Sequence, residues 1–279
     1  MNLTKCIRSL NLYIKSIPKI SSTTIISKRY ATTHFGFEEV DEKDKEKKVH
    51  TVFANVASKY DLMNDAMSLG IHRLWKDYFI QRINPTSNTV MLDVAGGTGD
   101  IAFRALRNMQ KKTGTGSVTI VDINQNMLDV GKQRAEEDTT LDKSKLKWQC
   151  ANAESLPFGD NTFDLYTIAF GIRNCTHVDK VIREAYRVLK PNGKFAVLEF
   201  SQIAAPISSL YDLYSFNVIP VLGQVLASDY NSYKYLVESI RKFPNQNDFA
   251  TMIKNEGFEE VTYENLSLGI CAIHSGIKK

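Results

Sequence analysis

Leu92-Asp93-Val94-Ala95-Gly96-Gly97-Thr98-Gly99-Asp100 lies where an apolar run, Thr89–Val94, gives way to an amphipathic one, Asp100–Lys111. The first run predicts a buried strand and the second a helix. The glycines between them permit a sharp turn and leave bare backbone against which a ligand can lie at the helix N-terminus. The strand–helix pair then recurs as Ser117–Asp122 and Met127–Asp138. Leu146–Ala151, Phe163–Ala169 and Lys194–Phe200 are further apolar strands, and helix Val178–Leu189 stops before the turn Pro191-Asn192-Gly193. Such alternation predicts an α/β fold with a mainly parallel sheet and helices on both faces. Phe258–Asn265 and Leu268–His274 are too close in sequence for a parallel crossover, so they predict an antiparallel hairpin at one edge.

Ahead of this core, Val52, Val56, Tyr60, Met63, Met67, Ile71, Leu74 and Phe79 fall mostly at three- or four-residue steps. They predict two amphipathic helices over 52–83, broken near Ser68-Leu69-Gly70, with the apolar stripe packed in the core. Residues 31–51 contain the run EEVDEKDKEKK and predict a charged, solvated linker or the start of a helix. The amino-terminal side of the chain differs in kind. Residues 1–36 hold six cations and no acid, and removing those six from the 35 cations leaves 29 against 31 acids. A near-neutral body argues against nucleic-acid binding. The basic, Ser/Thr-rich segment 1–30 predicts a mitochondrial transit peptide, with processing between Tyr30 and Ala31; a basic tail is the alternative. The four cysteines, Cys6, Cys150, Cys175 and Cys271, form no C-x-x-C pair. Neither a metal site nor a disulfide framework is expected.

Asp122 ends the second strand, 23 residues beyond Gly99. A carboxylate there can accept both hydroxyls of a ribose, as NAD and S-adenosylmethionine sites both require. Gly97-Thr98-Gly99-Asp100-Ile101-Ala102 also satisfies the dinucleotide pattern G-x-G-x-x-A, and a ligand-free turn is the plainer reading of a glycine loop alone. Two features favour S-adenosylmethionine. Asp93, just before the glycines, suits a cationic aminoacyl group better than a pyrophosphate. Asn152-Ala153-Glu154, after the third strand, can hydrogen-bond an adenine edge, although a polar surface turn would read the same way.

The sequence resembles the ubiquinone/menaquinone biosynthesis C-methyltransferases from about Val52 to the C-terminus. The resemblance is carried by VFANVASKYDLMNDAMSLGIHRLWKD (52–77), LDVAGGTGDIAFR (92–104), VDINQNML (121–128), ANAESLPFGDNTFD (151–164) and EAYRVLKPNGKFAVLEFS (184–201). The segments TIAFGIRNCT (167–176), YDLYSFNVIPVLG (211–223) and SYKYLVESIRKFP (232–244) are the most specific. The resemblance implies a Rossmann-like class I methyltransferase fold with seven strands. It implies S-adenosyl-L-methionine as methyl donor, with contacts at Thr98, Asp122, Asn152 and Ala153; Asp93, Gly97 and Gly99 complete the expected cofactor set. Ala169 stands where some relatives have Ser, so a side-chain contact there is not carried over. Asn192 replaces a glycine of the usual P-G-G turn and tolerates the same left-handed backbone.

The implied reaction places a methyl group on a ring carbon of 2-methoxy-6-polyprenyl-1,4-benzoquinol, within ubiquinone biosynthesis. Arg173 and Asn174 are the expected catalytic pair: Arg173 stabilises a developing phenolate and Asn174 orients the ring or a water. Guanidinium has no acceptor, so Arg173 is not read as a base. A water chain, a carboxylate or His72 would take the proton, and a structural ion pair is the alternative for Arg173. The apolar segment 206–236 is expected to form a lid over the quinol and its tail, with a homodimer interface as a rival role. A multi-subunit biosynthetic complex and peripheral contact with the matrix side of the mitochondrial inner membrane are further expectations. An NAD-linked oxidoreductase and a non-catalytic scaffold remain as competing readings, the former weakened because Tyr230 and Lys234 make the relevant Tyr-x-x-x-Lys pairing inside the lid.

Overall fold

The computed structural model describes residues 32–56, 64–65, 68, 70–203, 215–227 and 229–279. The transit-peptide reading of 1–30, the stripe residues Tyr60, Met63 and Met67, and residues 206–214 of the expected lid lie outside them. The described chain begins with a hairpin, β1 (Thr32–Phe35) and β2 (Glu38–Asp41), turning at Gly36 with φ +61°. Helix α1 (Glu42–Val56) follows without a break. The stretch expected as a solvated linker or helix start forms this hairpin and then the first part of α1. Its stability is tertiary: the Phe35 ring stacks on Tyr235 with centroids 4.0 Å apart, and Val40 and Lys45 are buried. Helix α2 (Ile71–Ile83) corrects the expected stripe. It buries Trp75, Phe79, Ile80 and Ile83, whereas Ile71 and Leu74 are 40% and 67% exposed. The buried face starts one residue later than the predicted one, at His72 and Trp75, and shares Phe79 with it.

The remaining elements are β3 (Val90–Val94), α3 (Asp100–Met109), β4 (Ser117–Asp122), α4 (Gln125–Glu137), β5 (Leu146–Cys150), β6 (Phe163–Ala169) and α5 (Val178–Val188). They continue through β7 (Leu189–Phe200), α6 (Ile219–Ala227), α7 (Tyr230–Lys242), α8 (Gln246–Asn255), β8 (Glu259–Leu266) and β9 (Cys271–Ile277). Strands β3 to β9 make one seven-stranded sheet in the order β5-β4-β3-β6-β7-β9-β8. The first five are parallel, and β9 runs antiparallel between β7 and β8. The expected mainly parallel sheet with a C-terminal antiparallel hairpin is what forms. The second hairpin strand starts at Cys271 rather than Leu268, because Leu268 sits at φ +62° in the connecting turn with its side chain 72% exposed.

Alternate residues of each central strand supply the two faces of the core. Met91, Val118, Ile120, Leu165 and Leu198 pack with Trp75, Phe79, Phe103 and Leu106 of α2 and α3. Leu92, Val94, Tyr166, Ile168 and Val197 pack with Val181, Ile182, Phe249 and Phe258 on the other side. The order reverses at β3, whose neighbours β4 and β6 lead to helices on opposite faces. A crevice opens at the carboxyl ends of such strands, where ligands of open α/β sheets bind.

Two strand-end turns meet at that crevice. Ala95 and Phe170 both adopt left-handed backbone, at φ +50° and +56°. A Cβ on Gly171 would lie 2.4 Å from the Ala95 methyl, which has no rotamer with which to retreat. Gly171→Ala should therefore destabilise the fold by about 1–3 kcal/mol and weaken cofactor binding through the displaced glycine loop. Thermal melting and calorimetric titration check this; an unchanged melting temperature would show that the two turns can separate freely.

Candidate active site

The glycine loop between β3 and α3 is held in shape by both backbone and neighbours. Gly97 and Gly99 take φ +51° and +83°, the left-handed region that side chains disfavour. A Cβ at Gly96 would meet Ile120 Cγ2 at 2.7 Å and Asp93 Oδ2 at 3.0 Å. The loop borders a cleft that encloses about 1180 Å³ of empty space including its mouth. Asp93, Gly97, Thr98, Asp122, Asn152, Ala153 and Asn174 all line it, whereas Gly99 shapes the loop from outside.

Asp122, at the end of β4, accepts the Gly97 N–H on Oδ2 at 2.9 Å and the Asn124 N–H on Oδ1 at 2.8 Å. A carboxylate has about four lone-pair directions, so acceptor capacity remains for a ribose diol in the cleft. Burial raises its pKa to about 6 against the bonds from Asn124, Gly97 and Ile123 that lower it. Asp93 is 1% exposed and accepts the Thr167 hydroxyl on Oδ1 at 2.7 Å, while Oδ2 is buried with no partner. Burial pushes its pKa up to about 7. An orphaned, buried carboxylate oxygen beside a ligand cleft is the feature a cationic group would satisfy.

The other expected contacts are less open. Thr98 accepts Arg134 Nη1 on its hydroxyl at 2.7 Å, so that side chain holds α4 to the loop as well as lining the cleft. Asn152 folds its carbonyl onto the Glu154 N–H at 2.8 Å, leaving its amide nitrogen and the Ala153 backbone toward the ligand. Glu154 is committed elsewhere. It accepts the Thr176 and His177 N–H groups at 2.8 and 2.9 Å and pairs with His177 Nδ1 at 2.8 Å. His177 also meets Glu42 of α1 at 3.0 Å, and these carboxylates raise its pKa. Glu154 thus joins three segments around the cleft, which it also lines.

Arg173 and Asn174 lie in a short 3-10 turn, Ile172–Asn174, directly after β6. Asn174 faces the cleft, and its Oδ1 accepts the Tyr235 hydroxyl at 3.0 Å. Its amide N–H groups are therefore the ones available to a ligand. Arg173 lies behind the turn, donating from Nη1 to Glu199 Oε1 at 2.8 Å and to the Phe170 carbonyl at 2.6 Å, with its guanidinium 5.3 Å from the Phe200 ring centroid. Both charges of this pair are buried, and Arg173 borders a second cavity with His34, Lys45 and Tyr235 rather than the glycine-loop cleft. The structure thus brings Asn174 to the cofactor side and places Arg173 in an ion pair. His72 pairs with Asp65 at 2.8 Å and does not line the cleft. The Cys175 thiol is pushed by burial to about 12 and is inert as a nucleophile.

Sequence reading missed four cleft residues contributed by helices ahead of the glycine loop: Glu46, Val49 and His50 of α1 and Lys76 of α2. No local motif marks them; only docking of these helices onto the strand ends puts them there. With Asp93, Asp100 and Asp122 lining one cleft, the site disfavours a pyrophosphate and suits a ligand with cationic centres. Tyr230 is 43% exposed on α7, and neither it nor Lys234 lines the cleft, so the oxidoreductase reading loses its catalytic pair.

A seven-stranded sheet with this acidic, glycine-edged cleft defines an S-adenosylmethionine-dependent methyltransferase. The model of the ubiE/COQ5 methyltransferase family matches residues 41–278. The chain belongs to that family. It is 59% identical over 263 residues to the Caenorhabditis elegans protein named "2-methoxy-6-polyprenyl-1,4-benzoquinol methylase, mitochondrial", spanning 94% of this chain and 91% of that one. The human protein of the same name is 52% identical over 282 residues, spanning 90% and 86%. Among solved structures, a methyltransferase from Thermotoga maritima superposes with TM-score 0.59 at 16% identity, covering 83% of this chain and all of that one (100%). Haemonchus contortus phosphoethanolamine N-methyltransferase 2 bound to S-adenosyl-L-methionine gives TM-score 0.53 at 17% identity, covering 73% and 52%. These two likenesses concern the fold alone.

The carboxylates give the cleft a pH dependence of definite sign. Asp93 and Asp122 titrate near 7 and 6 when folded, against 3.8 in an ordinary environment. Their protonated forms are thus favoured by folding, a contribution present at low pH and lost as pH rises through about 6 to 7. A ligand with ammonium and sulfonium charges favours the ionised forms, so binding should release protons. Affinity for S-adenosylmethionine should rise from about pH 5 to about pH 7.5. Calorimetry near pH 6.5 in buffers of different ionisation heat checks this; binding without proton release would mean that neither carboxylate meets the cation.

Proposed function

We propose that this chain methylates a ring carbon of 2-methoxy-6-polyprenyl-1,4-benzoquinol, using S-adenosyl-L-methionine, in ubiquinone (coenzyme Q) biosynthesis. The observation that carries this reading is the name shared by relatives 52–59% identical over most of the chain. The adjacency of Asn174 to the glycine-loop cleft agrees with it. Asp122 would hold the ribose, Asp93 the cationic aminoacyl end, Asn152 and Ala153 the adenine, with Gly97, Thr98 and Gly99 shaping the loop beneath.

The donor's sulfonium supplies an electrophilic methyl group. The chain's own task is to hold the quinol carbon in line with it, an alignment that can contribute roughly 7–11 kcal/mol. A phenol ionises near pH 10 and is a weak carbon nucleophile while neutral, so the site must favour its anion. Asn174 can donate its amide N–H to the quinol oxygen, because Tyr235 already occupies its carbonyl. Arg173 adds a positive field from behind the turn, reduced by Glu199 at 2.8 Å. The proton passes to water rather than to Arg173, which has no acceptor.

The segment 206–236 is the lid in this reading. Its described part places Phe216, Val218, Val221 and Val225 on the surface, at 38%, 37%, 53% and 73% exposure, which suits a polyprenyl tail, a membrane surface or a second subunit. No helix among the described residues is long and apolar enough to cross a membrane. Peripheral attachment to the matrix side of the inner membrane is the arrangement we favour, with the acid-free segment 1–30 as targeting peptide. The word "mitochondrial" in the relatives' names supports that location. A homodimer within a multi-subunit complex belongs to the same proposal.

Incubating the full chain with methyl-labelled donor and a short-chain 2-methoxy-6-prenyl-1,4-benzoquinol should give one labelled methyl on a ring carbon, seen by NMR. Label on oxygen, or none with the quinol, would overturn the assignment. Arg173 can be tested separately. Arg173→Met leaves Glu199 buried and alone, which should cost about 3–5 kcal/mol of stability, so the double variant Arg173→Met/Glu199→Leu is the informative one. It should fold yet retain turnover about 10²–10³-fold below normal, by analogy with loss of an oxyanion donor. Recovery of full turnover in the double variant would make Arg173 purely structural.

A further inference from the structure

Lys76 is 4% exposed, yet it lines the cleft beside the glycine loop. It donates to Asp100 Oδ2 at 2.6 Å, its hydrogen-bond partner among the described residues. An ammonium carries three donors, so this bond leaves capacity unused. Asp100 does not depend on Lys76 alone, because Arg104 Nη1 bonds its other oxygen. Asp100 is also the first residue of α3, at the positive end of the helix dipole. In the same cleft, Asp93 carries the buried, unpartnered Oδ2.

The two groups are therefore opposite in what they lack. Asp93 holds a carboxylate oxygen without a hydrogen-bond donor, and Lys76 an ammonium with donors to spare. A zwitterionic amino acid satisfies both at once, its ammonium toward Asp93 and its carboxylate toward Lys76. We propose that Lys76 is a cofactor-binding residue that receives the α-carboxylate of the methionine moiety. The proposal rests on the assignment of the cleft to S-adenosylmethionine. It explains why a lysine is kept nearly dry on a helix whose outward face carries Ile71 and Leu74. Asp100 remains its partner in the absence of ligand; the Asp100 carboxyl, though penalised by burial, is drawn down to about 2 by Lys76 and Arg104.

The test compares ligands with and without the amino-acid end on the full chain, by calorimetry. Lys76→Met should weaken S-adenosylhomocysteine binding about ten- to hundredfold, the usual effect of losing a charged hydrogen bond. Binding of 5′-methylthioadenosine, which lacks the amino acid, should change less than about twofold, and Lys76→Arg should retain most of the affinity for S-adenosylhomocysteine. Equal losses for both ligands, or none for S-adenosylhomocysteine, would overturn the proposal. Should Lys76→Met not fold, the decarboxylated analogue of S-adenosylhomocysteine serves on the unaltered protein. It should bind at least about tenfold more weakly than S-adenosylhomocysteine itself, and equal affinity would overturn the role of Lys76. Failure of the unaltered protein to bind S-adenosylhomocysteine would instead overturn the assignment of the cleft, and the proposal with it.

Discussion

The pair of hydrogen bonds that Asp122 accepts from Gly97 and Asn124 fixes the geometry on which the rest of the molecule depends. One carboxylate at the end of β4 ties the glycine loop to the start of α4, where Asn124 caps the helix through the Asn126 and Met127 N–H groups. With the loop so held, α3 begins at Asp100 and the crevice keeps its shape beside β3. Burying that carboxylate, and Asp93 next to it, opposes folding, as their raised pKa values record. A cationic ligand that reaches both reverses the penalty. Stability and binding are thus linked through the same two groups, and sites under such tension mark function more often than packing.

The substrate side is built by a different route. Asn174 is fixed by the Tyr235 hydroxyl, and Tyr235 is fixed by the Phe35 ring stacked at 4.0 Å from the N-terminal hairpin. Arg173 is fixed by Glu199 of β7, whose Oε1 also accepts the Phe200 N–H at 2.8 Å. Consecutive residues of one short turn are therefore anchored by different elements, α7 and β7. An activating group placed this way loses freedom before the quinol arrives, as preorganised electrostatic catalysis requires. The ion pair also moderates the charge of Arg173, which makes Asn174 the more direct contact in our reading.

The central sheet was legible because its signals are local. Strand and helix periods alternate from Thr89 onward, and Gly96, Gly97 and Gly99 sit where backbone must turn tightly. Asp122 was legible by its distance from those glycines. What escaped the sequence depends on contacts far along the chain. The hairpin at 32–41 has charged, polar strands and is held by Phe35 on Tyr235, about two hundred residues away in sequence. The α2 face misled because Ile71 and Leu74 are apolar yet exposed, while the buried set includes His72 and Lys76. The bonds of Glu154 to residues 176–177 leave no trace in local pattern. Arg173 was placed correctly after its strand, but its partner Glu199 lies on the next strand over and could be read only from the β6–β7 register.

The central claim is that this cleft is charged for a zwitterionic, diol-bearing cation rather than for a dinucleotide. Equilibrium dialysis of the full chain against labelled S-adenosylmethionine and labelled NAD, side by side, tests it most directly. The account predicts that S-adenosylmethionine is retained at one equivalent per chain and that NAD is not retained. Retention of NAD in place of S-adenosylmethionine would contradict it.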